Sequence, residues 1–407
     1  METPASPPIE APRSAAAAGD APALVLRGVR KRFGDFTAVD GVDLDVRRGE
    51  FVTLLGPSGS GKTTTLRMIA GFLMADEGSI EIAGEEMRQV PPYRRDVGMV
   101  FQNYALFPHM TAAQNVAFPL QMRNVPRAEQ KQRVVEALEL IKLASFGDRY
   151  PRQLSGGQQQ RIALARAIVF RPRLLLMDEP LGALDKKLRE ALQLEILRIS
   201  RQLSATVVYV THDQEEALVM SDRIAIFDKG RIQQLGTGED LYERPNSVFV
   251  ADFIGESNML RGTLARDGDG TWLTRGPWRW RVDPGASGAG NLRHGEPAAL
   301  VVRPEHLRVV ARDNPQDGAN GVEAAVTEVL YLGPTRKIEL ALPDGLTAVV
   351  RQPAGTPGDW RPRDEVRLEW SVGRAVLVPD PKSDVTAGTP PDADAAVDPL
   401  AAVEPPA

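Results

Sequence analysis

The sequence contains no cysteine and only four histidines, which are His109, His212, His294 and His306. The absence of cysteine excludes disulfide bonds, as well as zinc or iron–sulfur sites with cysteine ligands. Four scattered histidines do not favour a site in which several imidazoles hold one metal ion. The chemistry of this chain is therefore expected to rest on other side chains and on the backbone.

The chain also lacks a long apolar run and an excess of basic residues. No apolar stretch approaches the roughly 20 residues that span a bilayer. The net charge is −5, and the acidic residues from Asp380 onward account for it, so the rest of the chain is close to neutral. A neutral body does not favour nucleic-acid binding. We expect no nucleic-acid partner, and we expect any membrane role to depend on a partner protein.

Both ends of the chain have the composition of disordered tails. Residues 1–22 are rich in Ala and Pro and lack the basic start and apolar core of a secretory signal. Residues 381–407 are acidic and rich in Pro. We predict that the ordered part of the chain lies between these two segments.

Apolar runs alternate with helical segments in the first half of the chain. The runs are EFVTLLG (50–56), LLLMDE (174–179), TVVYVTHD (206–213) and RIAIFDKG (223–230). Strands this apolar predict a parallel sheet that is covered on both faces. A helix is predicted from about Asp185, with a one-sided stripe of Leu188, Leu192, Ile196, Ile199 and Leu203. The segment 103–165 interrupts the strands and is predicted to be a helical subdomain.

Beyond residue 237 the pattern changes to short β-like runs. The PDG at 343–345 predicts a hairpin, and all five tryptophans lie in this part of the chain. The pattern predicts a small β-barrel or a pair of barrels within 237–380. A β-sandwich with no particular function is left open by the pattern alone.

The stretch GPSGSGKTT (56–64) follows a strand and opens a helix. It matches the phosphate-loop pattern GxxxxGK(S/T) in the required strand–loop–helix context, where backbone N–H groups cradle phosphates. Lys62 is predicted to reach the β- and γ-phosphates, and Thr63 to bind Mg²⁺. The predicted nucleotide contacts from this loop are Gly56, Pro57, Ser58, Gly59, Ser60, Gly61, Lys62, Thr63 and Thr64.

A second element, LLLMDEP (174–180), delivers two acids to the end of an apolar strand. Asp178 is predicted to hold Mg²⁺, and Glu179 to act as general base on the attacking water. The alternative is that the two acids only cap the next helix. Gln102 and His212 each end a strand-like run of the same sheet, where ligands collect. We predict that Gln102 contacts Mg²⁺ or the γ-phosphate. We predict that His212 contacts the γ-phosphate and orients Glu179 or the water. A structural role is the alternative for each of the two residues.

A second anion site is predicted at LSGGQ (154–158), where a hydroxyl and two glycines open an amphipathic helix. Backbone N–H groups point out of such a helix end and attract negative charge. A single chain thus carries two predicted phosphate sites almost a hundred residues apart.

Along the chain the motifs are GPSGSGKT, Gln102, LSGGQ, LLLMDEP, ALD (183–185) and His212. This is the order found in the nucleotide-binding subunits of ABC transporters, and residues 23–236 resemble that family. The resemblance implies an α/β fold, a P-loop NTPase cassette with a parallel-sheet core, an antiparallel β-subdomain and a helical subdomain. It implies ATP and Mg²⁺ as ligands, and a catalytic set of Lys62, Gln102, Glu179 and His212.

The resemblance also explains the two anion sites, because two subunits of this family dimerise head to tail around shared ATP. It implies that Ser155, Gly156, Gly157 and Gln158 bind the partner's nucleotide and that Asp185 lies at the dimer seam. Phe33 occupies the position of the ring that stacks on adenine; a core phenylalanine is the alternative. Tyr104, Leu106, Phe107 and Met110 are the candidates for docking membrane subunits, and a plain helical core is the alternative.

The region after residue 237 resembles the linker and oligonucleotide-fold-like TOBE domain of a group of ABC importers. FIGESN (253–258) and the YLG at 331–333 are most similar to the spermidine/putrescine branch. The resemblance implies two permease subunits, an extracytoplasmic solute-binding protein and a peripheral position on the cytoplasmic face of the inner membrane. Ferric iron, phosphonate, thiamine, sulfate or a sugar are the alternative solutes.

Three other classes fit the residues less well. A P-loop GTPase needs a guanine-reading N/T-K-x-D element, which FDKG (227–230) does not supply. A soluble ABC ATPase of DNA repair or translation needs a long coiled coil or two cassettes in one chain. A regulatory binder that does not hydrolyse ATP has no need for Glu179 and His212. The sequence thus favours a transporter ATPase.

Overall fold

The computed structural model describes residues 21–182, 184–283, 292–313 and 318–380. The predicted tails, 1–22 and 381–407, lie outside the described residues except for Ala21 and Pro22, and so does Ala183. The chain divides into two compact units between Glu243 and Arg244; the boundary placed from the sequence at 236 stays a prediction. No helix in the described ranges is long and apolar enough to cross a membrane.

The first unit contains a four-stranded antiparallel sheet and a six-stranded sheet. Its strands are β1 (Leu24–Phe33), β2 (Phe36–Val46), β3 (Phe51–Leu55), β4 (Glu77–Ile82), β5 (Glu85–Glu86), β6 (Val97–Val100), β7 (Leu174–Asp178), β8 (Val207–Thr211), β9 (Arg223–Asp228) and β10 (Arg231–Gly236). The antiparallel sheet has the order β2-β1-β4-β5, and the larger sheet has the order β10-β9-β3-β8-β7-β6.

The larger sheet is parallel except for its edge strand β10, which runs antiparallel to β9. Every residue of β3, β7 and β8 is buried. Alternate residues belong to two different cores: Val52 and Leu54 pack into one, and Phe51 packs into the other. Both faces of the sheet are therefore covered, which explains why its strands are continuously apolar. The prediction of a covered parallel sheet is confirmed.

The first unit also contains helices, several of which pack directly on this sheet. The helices of this unit are α1 (Lys62–Ala70), α2 (Ala112–Met122), α3 (Arg127–Leu140), α4 (Gly156–Ile168), α5 (Lys186–Gln202), α6 (Gln214–Met220) and α7 (Gly238–Glu243). The helices α2, α3 and α4 occupy most of the segment that the sequence assigned to a helical subdomain. Leu192, Ile196 and Ile199 of the α5 stripe are buried, whereas Leu203 is exposed at the end of the helix.

The second unit is all-β apart from the short helix α8 (Val248–Phe253) and single 3₁₀ turns within the described residues. Its two five-stranded sheets have the orders β13-β12-β11-β14-β20 and β15-β19-β16-β17-β18. The strands are β11 (Asn258–Asp267), β12 (Gly270–Arg275), β13 (Trp278–Val282), β14 (Pro297–Val302), β15 (Arg308–Ala311), β16 (Asn320–Tyr331), β17 (Thr335–Ala341), β18 (Thr347–Pro353), β19 (Glu365–Trp370) and β20 (Ala375–Pro379).

One apolar core joins the two sheets of the second unit. Trp280 of one sheet and Trp370 of the other lie with ring centroids 6.2 Å apart. The predicted hairpin is present: β17 and β18 pair antiparallel around the turn at Pro343–Gly345, where Gly345 has a φ of 72°. The all-β prediction is confirmed, and the architecture is two sheets around a shared core.

Candidate active site

The phosphate loop joins β3 to α1, and two of its glycines are fixed by close backbone contacts. A Cβ atom on Gly56 would lie 2.3 Å from the carbonyl oxygen of Phe227. A Cβ atom on Gly61 would lie 2.5 Å from the carbonyl oxygen of Ala38, and Gly61 has a φ of 102°. Gly56 has no space for a side chain, and Gly61 has neither the space nor the backbone conformation that a side chain needs. The two glycines therefore let the loop pack directly against the backbone of Phe227 and Ala38.

Lys62 is the first residue of α1, and its side chain folds back into the loop. Its Nζ donates hydrogen bonds to the carbonyl oxygens of Gly56 and Pro57, each at 2.8 Å. Burial lowers the pKa of Lys62, while the charges of Glu179 and Asp178 oppose that effect. The ammonium group is thus held inside the loop, where phosphate oxygens would bind.

Thr63 and Asp178 meet at the end of the sheet although they lie far apart in the sequence. The Thr63 hydroxyl donates a 3.0 Å hydrogen bond to Oδ1 of Asp178. Asp178 ends β7 and is buried. Burial raises the pKa of Asp178, and the hydrogen bond from Thr63 lowers it. Two oxygen ligands of the kind that Mg²⁺ prefers therefore stand side by side next to the phosphate loop.

Glu179 meets both Gln102 and His212. Nε2 of Gln102 donates to Oε2 of Glu179 at 3.3 Å, and Nδ1 of His212 lies 3.4 Å from the same oxygen. The three residues follow three neighbouring strands, β6, β7 and β8. Glu179 has a φ of 44°, a left-handed conformation that is strained for a residue with a side chain. The structure thus brings together all three residues that the sequence selected after strand ends.

The LSGGQ segment forms the N-terminus of α4. Ser155 is the N-cap: its hydroxyl accepts from the backbone N–H of Gln158, and the Gln158 side chain accepts from the backbone N–H of Ser155. Ser155 and Gly156 are exposed, whereas Gly157 packs against Leu188. Among the described residues, no hydrogen bond joins this segment to the phosphate loop. The second predicted anion site is therefore presented to the outside of the first unit.

Asp185 is the N-cap of α5, where its Oδ1 accepts a 3.0 Å hydrogen bond from the backbone N–H of Leu188. The residue is exposed. Phe33 ends β1, and 51% of its surface is exposed, so it is not the core phenylalanine of the alternative interpretation. Its contact with adenine, and the position of Asp185 at a dimer seam, stay predictions.

The four candidates for docking membrane subunits have different environments. Tyr104 is buried within the apolar core of the first unit, as the helical-core alternative expects. Leu106 packs against that core from the outside, and Met110 is partly buried. Phe107 lines an open groove of about 660 Å³. Other apolar side chains that line this groove are Tyr93, Met99, Phe101, Met122 and Phe170.

The groove is thus built from two chain segments, 92–107 and 118–123, together with α4 and the residue Phe170 that follows it. Tyr93 and Met122 are largely exposed apolar side chains, and the sequence analysis did not select either of them. It also did not select Arg189, which contacts Asp213, or Glu216, which accepts a hydrogen bond from Thr211 at the end of β8. Their only sequence signal is proximity to the ALD motif and to His212.

Both units of the chain are similar to known proteins. A family model described as ABC transporter matches residues 39–182, and a model described as TOBE domain matches residues 300–378. A dimeric structure of the bacterial ABC transporter cassette MJ0796 is 35% identical, covers 53% of this chain and 98% of that chain, and gives a TM-score of 0.48.

Similar curated proteins are named spermidine/putrescine import ATP-binding protein PotA. The one from Rubrobacter xylanophilus is 49% identical over 88% of this chain and 93% of its own length. The one from Thermobifida fusca is 50% identical over 86% of this chain and 91% of its own length. The one from Pseudomonas aeruginosa is 47% identical over 88% of this chain and 99% of its own length. The similarity therefore includes both units.

Proposed function

This chain belongs to the spermidine/putrescine import ATP-binding proteins of the ABC transporter family, and from that premise we propose that it hydrolyses ATP to power the uptake of polyamines. The observation that carries the proposal is the contact of Glu179 with Gln102 and His212 at the carboxyl ends of the parallel strands, where the phosphate loop also lies. A binding module has no need for a carboxylate held in this way.

The residues of the site have separate tasks in the proposed reaction. Lys62 and the backbone N–H groups of residues 58–64 hold the phosphates and spread the charge that develops during transfer. Glu179 accepts the proton of the water that attacks the γ-phosphate in line with the leaving oxygen. Gln102 and His212 hold the Glu179 carboxylate, and His212 also contacts the γ-phosphate. ADP and inorganic phosphate are the products.

Thr63, Asp178 and Gln102 are the residues that we propose hold Mg²⁺. The fit rests on the 3.0 Å contact between the Thr63 hydroxyl and the Asp178 carboxylate, which places two oxygen donors together beside the phosphate loop. Mg²⁺ sites of nucleotide enzymes commonly use one or two protein oxygens plus phosphate oxygens. Bound there with ATP, the ion would neutralise charge on the β- and γ-phosphates.

The working unit that we propose is a head-to-tail pair of copies. The exposed N-terminus of α4, with Ser155 as its cap, is separate from the phosphate loop of its own chain. Its free N–H groups and helix dipole suit the γ-phosphate of a nucleotide bound by the second copy. Asp185, exposed at the start of α5, would lie at the seam of the pair, and Phe33 would stack on adenine.

We further propose two permease subunits and an extracytoplasmic solute-binding protein as partners, with the chain on the cytoplasmic face of the inner membrane. The support is the apolar groove that contains Phe107, Tyr93 and Met122, because exposed apolar surface of this extent marks a partner site. We propose that the groove binds a short apolar segment of a permease.

The test is ATP hydrolysis by the complex of this chain with its own permeases and binding protein, reconstituted in lipid. Spermidine, putrescine, ferric iron, phosphonate, thiamine, sulfate and a sugar are added separately, and the same complex with Glu179→Gln sets the background. Stimulation by polyamines alone supports the proposal. Stimulation by another solute would change the proposed substrate and leave the proposed ATPase activity in place. Equal rates of hydrolysis in the parental and Glu179→Gln complexes would overturn the proposed chemistry.

A further inference from the structure

Arg189 lies on α5, one turn beyond its N-cap Asp185, and its guanidinium group contacts two separate loops. One terminal nitrogen donates a 3.0 Å hydrogen bond to the carbonyl oxygen of Leu184, which directly precedes Asp185. The other donates a 3.1 Å hydrogen bond to Oδ2 of Asp213, which directly follows His212. Nε lies 3.7 Å from Oε1 of Glu216. A single side chain therefore joins the start of α5 to the loop of His212.

Both neighbours of His212 belong to the same polar network. Asp213 caps α6 by accepting from the backbone N–H of Glu216, and its own N–H donates to the hydroxyl of Thr211. Glu216 is buried and accepts hydrogen bonds from the hydroxyls of Tyr209 at 2.8 Å and Thr211 at 2.7 Å. The backbone on each side of His212 is thus fixed to groups that contact Arg189.

The His212 side chain itself is held much less firmly. It is 57% exposed, and its Nδ1 lies 3.4 Å from the Glu179 carboxylate, at the edge of hydrogen-bonding distance. Its position relative to Glu179 is therefore set mainly by its backbone. Charge-assisted hydrogen bonds are about twice as strong as neutral ones, so the contacts of Arg189 make a stiff link to that backbone.

We propose that Arg189 is a positioning residue that couples the segment Leu184–Asp185 to the placement of His212 against Glu179. A second copy that docks at Asp185 of the first would then shift the position of His212 in that first chain, through the guanidinium group of Arg189. This inference rests on the proposed function, because the docking partner and the role of His212 belong to it. Arg189 itself has no proposed contact with nucleotide or with the attacking water.

The test uses the full transporter complex with Arg189→Gln, Arg189→Lys and Asp213→Asn. We expect kcat for ATP to fall at least about tenfold in Arg189→Gln, since a misplacement of about 1 Å can cost about a hundredfold. KM for ATP should stay within about twofold, because the phosphate loop is unchanged. Lysine keeps a charge but not the fork of donors, so Arg189→Lys should recover only part of kcat.

Asp213→Asn is the variant for the case that Arg189→Gln fails to fold. Asparagine keeps the cap of α6 and removes the charge that Arg189 contacts, so the same fall in kcat is expected. Arg201→Gln, an exposed arginine on the same helix, is the matched control and should retain the parental kcat. Parental kcat in both Arg189→Gln and Asp213→Asn would overturn the inference.

A double-mutant cycle separates positioning from simple loss of structure. If Arg189 acts through His212, adding Arg189→Gln to His212→Ala should change kcat by less than about twofold, because coupled sites are not additive. The same non-additivity is expected with Asp185→Ala. If Arg189→Gln lowers kcat by the same factor in the His212→Ala and Asp185→Ala variants as in the parental chain, the inference is overturned. A parental complex that hydrolyses no faster than Glu179→Gln would instead overturn the proposed function.

Discussion

At the scale of single residues, Glu179 combines a strained backbone with a carboxylate that two other side chains contact. Its positive φ turns the chain directly after β7, so that Asp178 faces Thr63 while Glu179 faces Gln102 and His212. Two adjacent carboxylates thereby enter different environments, one beside a hydroxyl and one beside an amide and an imidazole. Such a division fits two different tasks, with Asp178 as ion ligand and Glu179 as base.

Glu179→Gln is expected to bind ATP with parental affinity and to lose about 10²–10⁴-fold in turnover, the usual contribution of a general base. Glutamine keeps the size and the hydrogen bond with Gln102 but cannot accept the proton of water. Nucleotide titration and single-turnover hydrolysis measure the two quantities. Glu139→Gln, an exposed acid of α3, is the control. Turnover close to the parental value would remove Glu179 from the role of base.

At the scale of secondary-structure elements, α4 does more than present its N-terminus. Arg166, near its other end, donates hydrogen bonds to the carbonyl oxygens of Tyr104 and Ala105 at 2.8 and 2.7 Å. Both acceptors have positive φ values, 60° and 47°, which side chains rarely tolerate. Arg166 is buried, and burial lowers its pKa. The helix therefore holds the strained segment that follows Gln102.

Arg166→Met is expected to lower the free energy of unfolding by about 2–4 kcal/mol, because it leaves the buried carbonyl group of Tyr104 and the partly buried one of Ala105 without this donor. Methionine retains the length and apolar contact of the side chain, so a cavity contributes little. Denaturant titration of the isolated chain gives the difference. Arg127→Met, at an exposed position on α3, should change stability by less than about 0.5 kcal/mol. Equal stability of the two variants would show that Arg166 does not hold the segment.

At the scale of the whole molecule, the placement of Ser155 has a consequence that mixed populations can test. A site made from the phosphate loop of one copy and the α4 N-terminus of another is repeated twice in a symmetric pair. A defect at Ser155 therefore damages the site of the partner and leaves the phosphate loop of its own chain intact. If both sites must close together, a single defective copy disables the pair.

Ser155→Arg co-assembled in equal amount with parental chain should reduce transporter ATPase activity to about one quarter, the share of pairs with two parental copies. The substitution removes the cap and places a bulky side chain at the exposed helix start. Steady-state hydrolysis is measured while the mutant fraction varies at constant total chain. Gln132→Arg, exposed on α3, should leave the rate unchanged at every ratio. A fall in simple proportion to the mutant fraction would contradict the shared-site model.

The sequence by itself determined the features that depend on neighbouring residues. The phosphate loop needs glycine at positions 56 and 61, followed by Lys62 and Thr63. The N-cap of α4 needs Ser155 before two glycines. Each motif is encoded within a few neighbouring positions. The continuous apolar runs of β3, β7 and β8 likewise require burial on both faces, because a strand with one wet face alternates. The parallel sheet was predictable for this reason, and the all-β second unit was predictable from its short β-like runs and the PDG turn at 343–345.

Only the tertiary structure decided which of these residues meet. Gln102 and Glu179 are 77 positions apart, and their contact depends on the strand order β8-β7-β6, which apolar patterning does not specify. The same holds for Arg189, whose contacts with Asp213 and Glu216 depend on how α5 packs against α6. Burial was equally undetermined: Tyr104 is inside and Phe33 is outside, although both are aromatic residues. Side-chain chemistry is local in the chain, whereas proximity is set by how distant elements pack.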